Sequence, residues 1–187
     1  MISRREQFVN LLRNKRLVVP VAAAGVVLAG LTGGAAAYAG AQAEEPSSIV
    51  EDYSYPGADQ ILATQNVRLV SGDGHIVLAD CATPPAGDIG LIKVFTTDET
   101  IGADGIGRVC FKVIGSKGLL NLEVPAVFEI RGDGQRTGTG HEGTAHVRTD
   151  EGDSVTVPLD PDGSAQVGIG VDPSNSPTTL LRLTITG

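Results

Sequence analysis

Two histidines, His141 and His146, stand five residues apart beside Glu142, and their types suggest metal chemistry. The zinc-protease motif His-Glu-x-x-His needs an offset of four on a helix, so that both imidazoles share one face. On a strand, an offset of five places the two side chains on opposite faces. The spacing therefore predicts two surface histidines and no metal site.

The stretch around these histidines is the best location for a binding site, because glycine or polar residues occupy every position of 131–144. Such a composition predicts a long mobile loop, and binding residues are concentrated in loops on rigid scaffolds. A crossing loop without a ligand is the alternative. Arg131-Gly132-Asp133 matches a tripeptide that adhesion receptors bind, but with Gly134 it is interpreted as a turn whose glycines permit positive φ. The candidate partner-binding residues are Arg131, Asp133, Arg136, His141 and Glu142.

Four aspartates, Asp150, Asp153, Asp160 and Asp162, suggest calcium, since their oxygens are calcium ligands if they lie near one another. The spacing does not match an EF-hand loop, which places glycine at position six. In Asp160-Pro161-Asp162-Gly163, proline at the second position and glycine at the fourth predict a type I turn. A calcium-dependent module is therefore among the least favoured functions.

Evidence for catalysis is weak. The sequence contains no Gly-x-Ser-x-Gly elbow, P-loop or dinucleotide fingerprint. Glu123 and Glu129 resemble a glycosidase pair, yet each alternates with apolar residues in a predicted strand, which indicates a solvated face. Phe95, Phe111 and Phe128 are predicted to be core residues, which leaves few aromatic rings for a sugar platform. The sequence thus predicts no catalytic residue and no cofactor, and a hydrolase is among the least favoured functions.

The chain has two cysteines, Cys81 and Cys110. An even count in an exported protein predicts one disulfide. Closing a loop of about 30 residues stabilises the folded state by roughly 3 to 4 kcal/mol in the chain-entropy model. Cys110 alternates with three apolar residues of its strand, so it is predicted to lie on the solvated face.

The first 43 residues predict export. Five basic residues precede an uncharged run over 17–43, which ends in small-x-small sites and is followed by Glu44-Glu45. This is the pattern of a signal peptide. An uncleaved membrane anchor is the alternative, and in both cases positive charge retains the N-terminus in the cytoplasm. The remaining chain is predicted to be secreted, or anchored with its domain outside.

The exported part is strongly acidic. Removing residues 1–43 takes five of the 14 Lys and Arg residues and one of the 22 Asp and Glu residues, which leaves 9 basic and 21 acidic residues and a net charge of −12. Nucleic acids and anionic lipids or wall polymers need a basic surface. The charge therefore argues against nucleic acid and against electrostatic binding to anionic lipids or wall polymers. Cationic partners, neutral glycans, proteins and divalent metals are the candidates that are left, and the predicted partner is an extracellular protein or a glycan, with no membrane contact after signal cleavage.

The domain organisation is predicted to be a signal peptide at 1–43, a polar linker or N-terminal arm at 44–60 and one β-domain at 61–187. Apolar residues recur with period two in short bursts between Gly, Asp and Pro, which is typical of antiparallel strands. About ten short strands predict an all-β antiparallel β-sandwich. Residues 62–70 and 75–81 are predicted to form a hairpin, and Pro125 is predicted to interrupt a strand.

Three segments carry a resemblance to known sequences: GADQIL at 57–62, RLVSGDGHI at 68–76 and EIRGDGQRTG at 129–138. With these segments the chain resembles uncharacterised secreted proteins of high-GC Gram-positive bacteria. The resemblance implies export and a bacterial origin, and it implies no activity. The sequence as a whole predicts a secreted non-catalytic interaction or structural module, with a glycan- or cell-wall-binding β-sandwich module as the alternative.

Overall fold

The computed structural model describes residues 53–187, which form one short helix, nine β-strands and a 3₁₀ turn at Gly168–Gly170. The predicted signal peptide and residues 44–52 of the predicted linker lie outside the described residues. Within 53–187, no helix is long and apolar enough to cross a membrane. In chain order the elements are α1 (Ala58–Gln65), β1 (Arg68–Gly72), β2 (Ile76–Ala79), β3 (Ile92–Thr96), β4 (Arg108–Val113), β5 (Gly118–Arg131), β6 (Gly143–Thr149), β7 (Ser154–Pro158), β8 (Ser164–Gln166) and β9 (Thr178–Ile185).

Hydrogen bonds join these nine strands into a single antiparallel sheet. The main path runs β2-β4-β3-β5-β9-β6-β7, and both β1 and β8 pair with β5. β5 is central because its 14 residues pair first with β1 and then with β3 on one side, and with β9 and then β8 on the other. The prediction of a mostly antiparallel β-domain is confirmed, with nine strands.

β5 runs through Pro125, where the sequence predicts an interruption. Proline has no N–H to donate to a neighbouring strand, and the register with β9 shifts between Val124 and Val127. Ala126 has a φ of 54°, in the left-handed region, and the carbonyl of Pro125 accepts a hydrogen bond from Oγ1 of Thr96 at 2.7 Å. The predicted interruption is thus an irregularity within one continuous strand, at the point where that strand changes partners.

The period-two pattern directs one face of each strand into a common core. In β5, Leu120, Leu122 and Val124 are buried while Glu123 is exposed. Full burial of such an apolar side chain stabilises the fold by roughly 1.5 to 3 kcal/mol. The alternation therefore determines which side chains of each strand remain on the outer face and are available to a ligand.

The predicted hairpin between residues 62–70 and 75–81 is wrong. Residues 58–65 form α1, whose two turns are too short for the 3.6-residue period to stand out in the sequence. β1 pairs with β5, and β2 pairs with β4. Asp73 explains this pairing, since its N–H donates to the carbonyl of Leu119 at 3.1 Å and its carboxylate accepts from the N–H of Leu119 at 2.9 Å. These bonds attach the turn after β1 to β5.

The predicted disulfide between Cys81 and Cys110 is confirmed, with the two Cα atoms 5.2 Å apart. Cys110 pairs with Ala79 across β4 and β2, so Cys81 follows two residues later within reach. The prediction of a solvated Cys110 is wrong, because this residue is only 1% exposed. The sulfur of Cys110 is bonded to Cys81 and does not face solvent.

Candidate functional site

The loop predicted to bind a partner leaves β5 at Arg131 and enters β6 at Gly143. Backbone hydrogen bonds hold it to two neighbouring segments. The N–H of Gly134 donates to the carbonyl of Pro161 at 2.8 Å, and the N–H of Gln135 donates to the carbonyl of Asp88 at 2.9 Å. The loop is thus fastened to the segment before β3 and to the turn between β7 and β8.

Asp133 is the anchor of this loop. Its side chain is fully buried, and its carboxylate accepts hydrogen bonds from the backbone N–H of His141 at 2.9 Å and from Nδ1 of the same residue at 2.7 Å. A buried carboxylate is stable only when such donors satisfy it. Asp133 therefore positions the loop from inside, and a partner on the surface does not reach its carboxylate.

His141 is held by Asp133 with 18% of its side chain exposed. An Asp–His pair of this kind orients an imidazole for general-base chemistry when a nucleophile lies at Nε2. Within residues 53–187, no hydroxyl or thiol forms a hydrogen bond with that nitrogen. His146 lies away in β6, where Nδ1 is 3.3 Å from Oγ1 of Thr156. The two histidines thus have separate local roles.

The remaining predicted loop residues point outward. The guanidinium of Arg136 forms an ion pair with the carboxylate of Asp88, which adds a further link between the loop and the segment before β3. The side chain of Glu142 is exposed, while its carbonyl accepts from the N–H of Thr186 at 2.9 Å. Arg136 and Glu142 are both accessible. They do not form one surface group, because Arg136 bonds to the segment before β3 while Glu142 bonds to the residue that follows β9.

The four aspartates considered for calcium do not come together. Asp150 and Asp153 precede β7, whereas Asp160 and Asp162 follow it. A strand of five residues spans about 17 Å, so the two pairs lie at opposite ends of β7 and cannot share one ion. The predicted turn at 160–163 is present, with the N–H of Gly163 donating to the carbonyl of Asp160 at 3.3 Å.

The outer face of β3 and β5 carries aromatic rings that the sequence assigned to the core. Phe111 is fully buried, as predicted, but Phe95 and Phe128 are only half-buried. Their rings lie 6.3 Å apart at a tilt of 42°, and the guanidinium carbon of Arg131 is 5.7 Å from the Phe95 ring centre. The alternation of side chains along β3 predicts this exposure of Phe95, because Phe95 lies on the same strand face as Lys93 and opposite the buried Val94.

Arg131 is fixed in this position by two neighbours on the same face. Its Nη2 donates to Oε1 of Glu129 at 3.1 Å, and its Nε donates to Oγ of Ser164 at 3.3 Å. Ser164 in turn donates to Glu129 at 2.8 Å. Burial raises the pKa of Glu129, but hydrogen bonds from Ser164, Gln166 and Arg131 outweigh it, so this pKa lies below its ordinary value. Glu129 is thus an ionised support that orients the guanidinium.

Beside Arg131 lies an open polar cleft of about 410 Å³, which we name the Arg131 cleft. It is bounded by β3, the end of β5, the start of the 131–144 loop and the turn before β8. Its volume falls in the range of small-molecule sites, about 300 to 1,000 Å³. Three glycines and six side chains line it: Gly132, Gly134, Gly163, Leu91, Lys93, Arg131, Gln135, Asp162 and Ser164.

The glycines are required by the close packing of the cleft floor. A Cβ at Gly132 would lie 2.2 Å from the carbonyl oxygen of Pro161. The turn at 160–163 can therefore approach β5 only because residue 132 lacks a side chain. This approach brings Asp162 and Ser164 to the wall opposite Lys93.

The Arg131 cleft thus combines a fixed guanidinium, an ammonium group, a carboxylate and an amide around a polar cavity. Such a set binds polar or charged groups by directed hydrogen bonds. Of the five predicted loop residues, only Arg131 lines the cleft, and sequence reasoning did not find Lys93, Asp162 or Ser164 as its companions. No protein-family model matches the chain, and a comparison with curated proteins found no match either.

Proposed function

We propose that this protein is a secreted, non-catalytic interaction module that binds an extracellular ligand or partner in the Arg131 cleft. The observation that carries this proposal is the fixation of Arg131. Its guanidinium has five N–H donors, of which Glu129 and Ser164 engage two. A side chain that is 53% exposed and already oriented loses little conformational freedom when a ligand binds.

A glycan- or cell-wall-binding module is the second candidate, and the aromatic rings favour it. Phe95 and Phe128 are half-buried on the outer face, and because the guanidinium of Arg131 lies over the Phe95 ring, the two rings add only a limited apolar surface beside this side chain. Polar side chains in the cleft suit the hydroxyl groups of the same sugar. Two of the three phenylalanines predicted to lie in the core are thus partly accessible, which weakens the sequence argument against a sugar platform.

Export is part of this proposal. The basic start, the uncharged run and the small residues of 1–43 support a signal peptide or, as the alternative, an uncleaved anchor with the domain outside. The disulfide is compatible with an oxidising compartment. The net charge of −12 after signal removal argues against nucleic acid as a partner of the exported form.

We also propose that the two halves of the sheet face each other as a β-sandwich. β4 and β5 are joined by only four residues, 114–117, yet β4 pairs with β2 and β3, while the first half of β5 pairs with β1 and β9. Buried residues from both halves, such as Phe111 and Leu183, belong to one apolar cluster. β4 and the first half of β5 do not pair with each other, yet their buried side chains share one core. Two layers packed face to face explain this arrangement.

Thermal unfolding in the presence of candidate ligands tests the binding function. The exported protein is heated with soluble wall fragments and common oligosaccharides, and a ligand at a hundred times its dissociation constant adds about 2.7 kcal/mol of stability. This corresponds to a rise in Tm of roughly 5 to 10 °C. Arg131→Gln should abolish the rise, whereas Arg148→Gln, an exposed arginine of β6 outside the cleft, should retain it. A rise that Arg131→Gln leaves unchanged would refute this location.

A further inference from the structure

We propose that the ligand of the Arg131 cleft is a sugar acid, whose single carboxylate is held between Lys93 and Arg131 and whose hydroxyl groups contact the polar wall. This inference rests on the proposed binding function and specifies its ligand. The two cations come from neighbouring strands, since Lys93 of β3 pairs with Arg131 of β5 in the register. They therefore lie side by side on one face of the sheet.

Two like charges directly opposite each other across a strand pair destabilise a sheet. Arg131 is partly compensated by Glu129, but among residues 53–187 Lys93 takes part in no ion pair. Lys93 as a residue is half-buried. An anion placed between the two side chains removes the repulsion and supplies the missing partner of Lys93.

The rest of the cleft limits how much negative charge the ligand carries. Asp162 lines the opposite side, with its carboxylate engaged by the N–H of Gly138. A second anionic group on the ligand would approach this carboxylate and the strongly acidic surface of the exported chain. Hydroxyl groups of the ligand, by contrast, would donate hydrogen bonds to the carboxylate of Asp162 and to the carbonyl of Gln135. One carboxylate on an otherwise neutral polar body fits this distribution of charge.

A matched pair of sugars tests the inference on the exported protein. Methyl β-D-glucuronide and methyl β-D-glucoside differ only in a carboxylate and a hydroxymethyl group, and amide NMR titration measures weak dissociation constants and locates them. We expect the glucuronide to bind at least about tenfold more tightly, since hydrogen bonds to charged groups are the stronger class. Shifts should centre on the amides of Gly132 and Gly134, and added NaCl should weaken binding of the glucuronide alone.

Variants at Lys93 separate charge from fold. Lys93→Gln should reduce glucuronide affinity about tenfold, Lys93→Arg should retain it within about threefold, and Lys117→Gln, an exposed lysine outside the cleft, should have no effect. The inference is overturned if the wild-type protein binds both sugars equally, or if Lys93→Gln leaves the preference intact. Equal binding that Arg131→Gln abolishes would still support the proposed function. If neither sugar binds, the sugar-acid assignment fails, and the wider ligand panel then decides the binding function separately.

Discussion

Replacing Asp133 by alanine is the most direct test of how the candidate site is held in place. The buried carboxylate accepts two hydrogen bonds, from the N–H of His141 at 2.9 Å and from its Nδ1 at 2.7 Å. Each bond to a charged group contributes about 1.5 to 3 kcal/mol. Since alanine also leaves both donors without a partner, we expect the free energy of unfolding to fall by about 3 to 5 kcal/mol.

Urea unfolding followed by circular dichroism measures this change. With an m-value of about 2 kcal/mol/M, a loss of 4 kcal/mol lowers the midpoint by about 2 M and leaves the slope unchanged. Asp133→Asn retains the shape and one acceptor, so it should cost only about 1 to 2 kcal/mol. Glu142→Ala, an exposed neighbour, serves as the control and should stay within about 0.5 kcal/mol. An Asp133→Ala midpoint equal to that of the control would refute the anchoring role.

Three further predictions concern stability. Replacing Cys81 and Cys110 by serine should lower the free energy of unfolding by about 3 to 4 kcal/mol. A thiol assay on the exported wild-type protein should detect no free thiol, and two reactive thiols would disprove the disulfide. Gly132→Ala should lower the free energy of unfolding in urea by about 1 to 3 kcal/mol, because the new Cβ would lie 2.2 Å from the carbonyl oxygen of Pro161. A variant as stable as the wild type would show that the turn at 160–163 moves away without cost. Glu129 has a lowered pKa, so its carboxylate stabilises the fold above the ordinary value of 4.5, and this contribution is lost as pH falls through the folded-state pKa. The stability difference between wild type and Glu129→Gln should therefore shrink below pH 4.5, and a difference independent of pH would contradict this.

The strands were predictable because their signal is local. The alternation of apolar residues predicts strands at 143–149 and 178–185, which are the bounds of β6 and β9. It also predicts strands at 91–97 and 108–114, which extend one residue beyond β3 at each end and one residue beyond the end of β4. Strand pairing was less predictable, since it depends on contacts between distant residues. The turn after β1 resembles a hairpin turn, but Asp73 bonds to Leu119, which is 46 residues away. No pattern within residues 62–81 contains that information.

The site illustrates the same limit. Polar composition marked 131–144 as a loop, yet it did not show that Asp133 is buried, because burial of a carboxylate depends on the donors that His141 supplies eight residues later. The companions of Arg131 come from other elements, and Ser164 is 33 residues away in sequence. Phe95 is different, since strand parity places it outside, and reading each strand face separately would have found it.

In the proposed exported form, the acidic surface and the two cations of the Arg131 cleft act at different ranges. A net charge of −12 repels polyanions over distances of about a Debye length, roughly 8 Å at physiological salt. Within the cleft, Lys93 and Arg131 act by direct contact, where screening is weak. A ligand with one anionic group meets little repulsion on approach and gains the local contacts, whereas a polymer with many such groups meets repulsion along its whole length. If the proposed binding function holds, we expect the acidic surface and the paired cations together to select for a small or sparsely charged ligand.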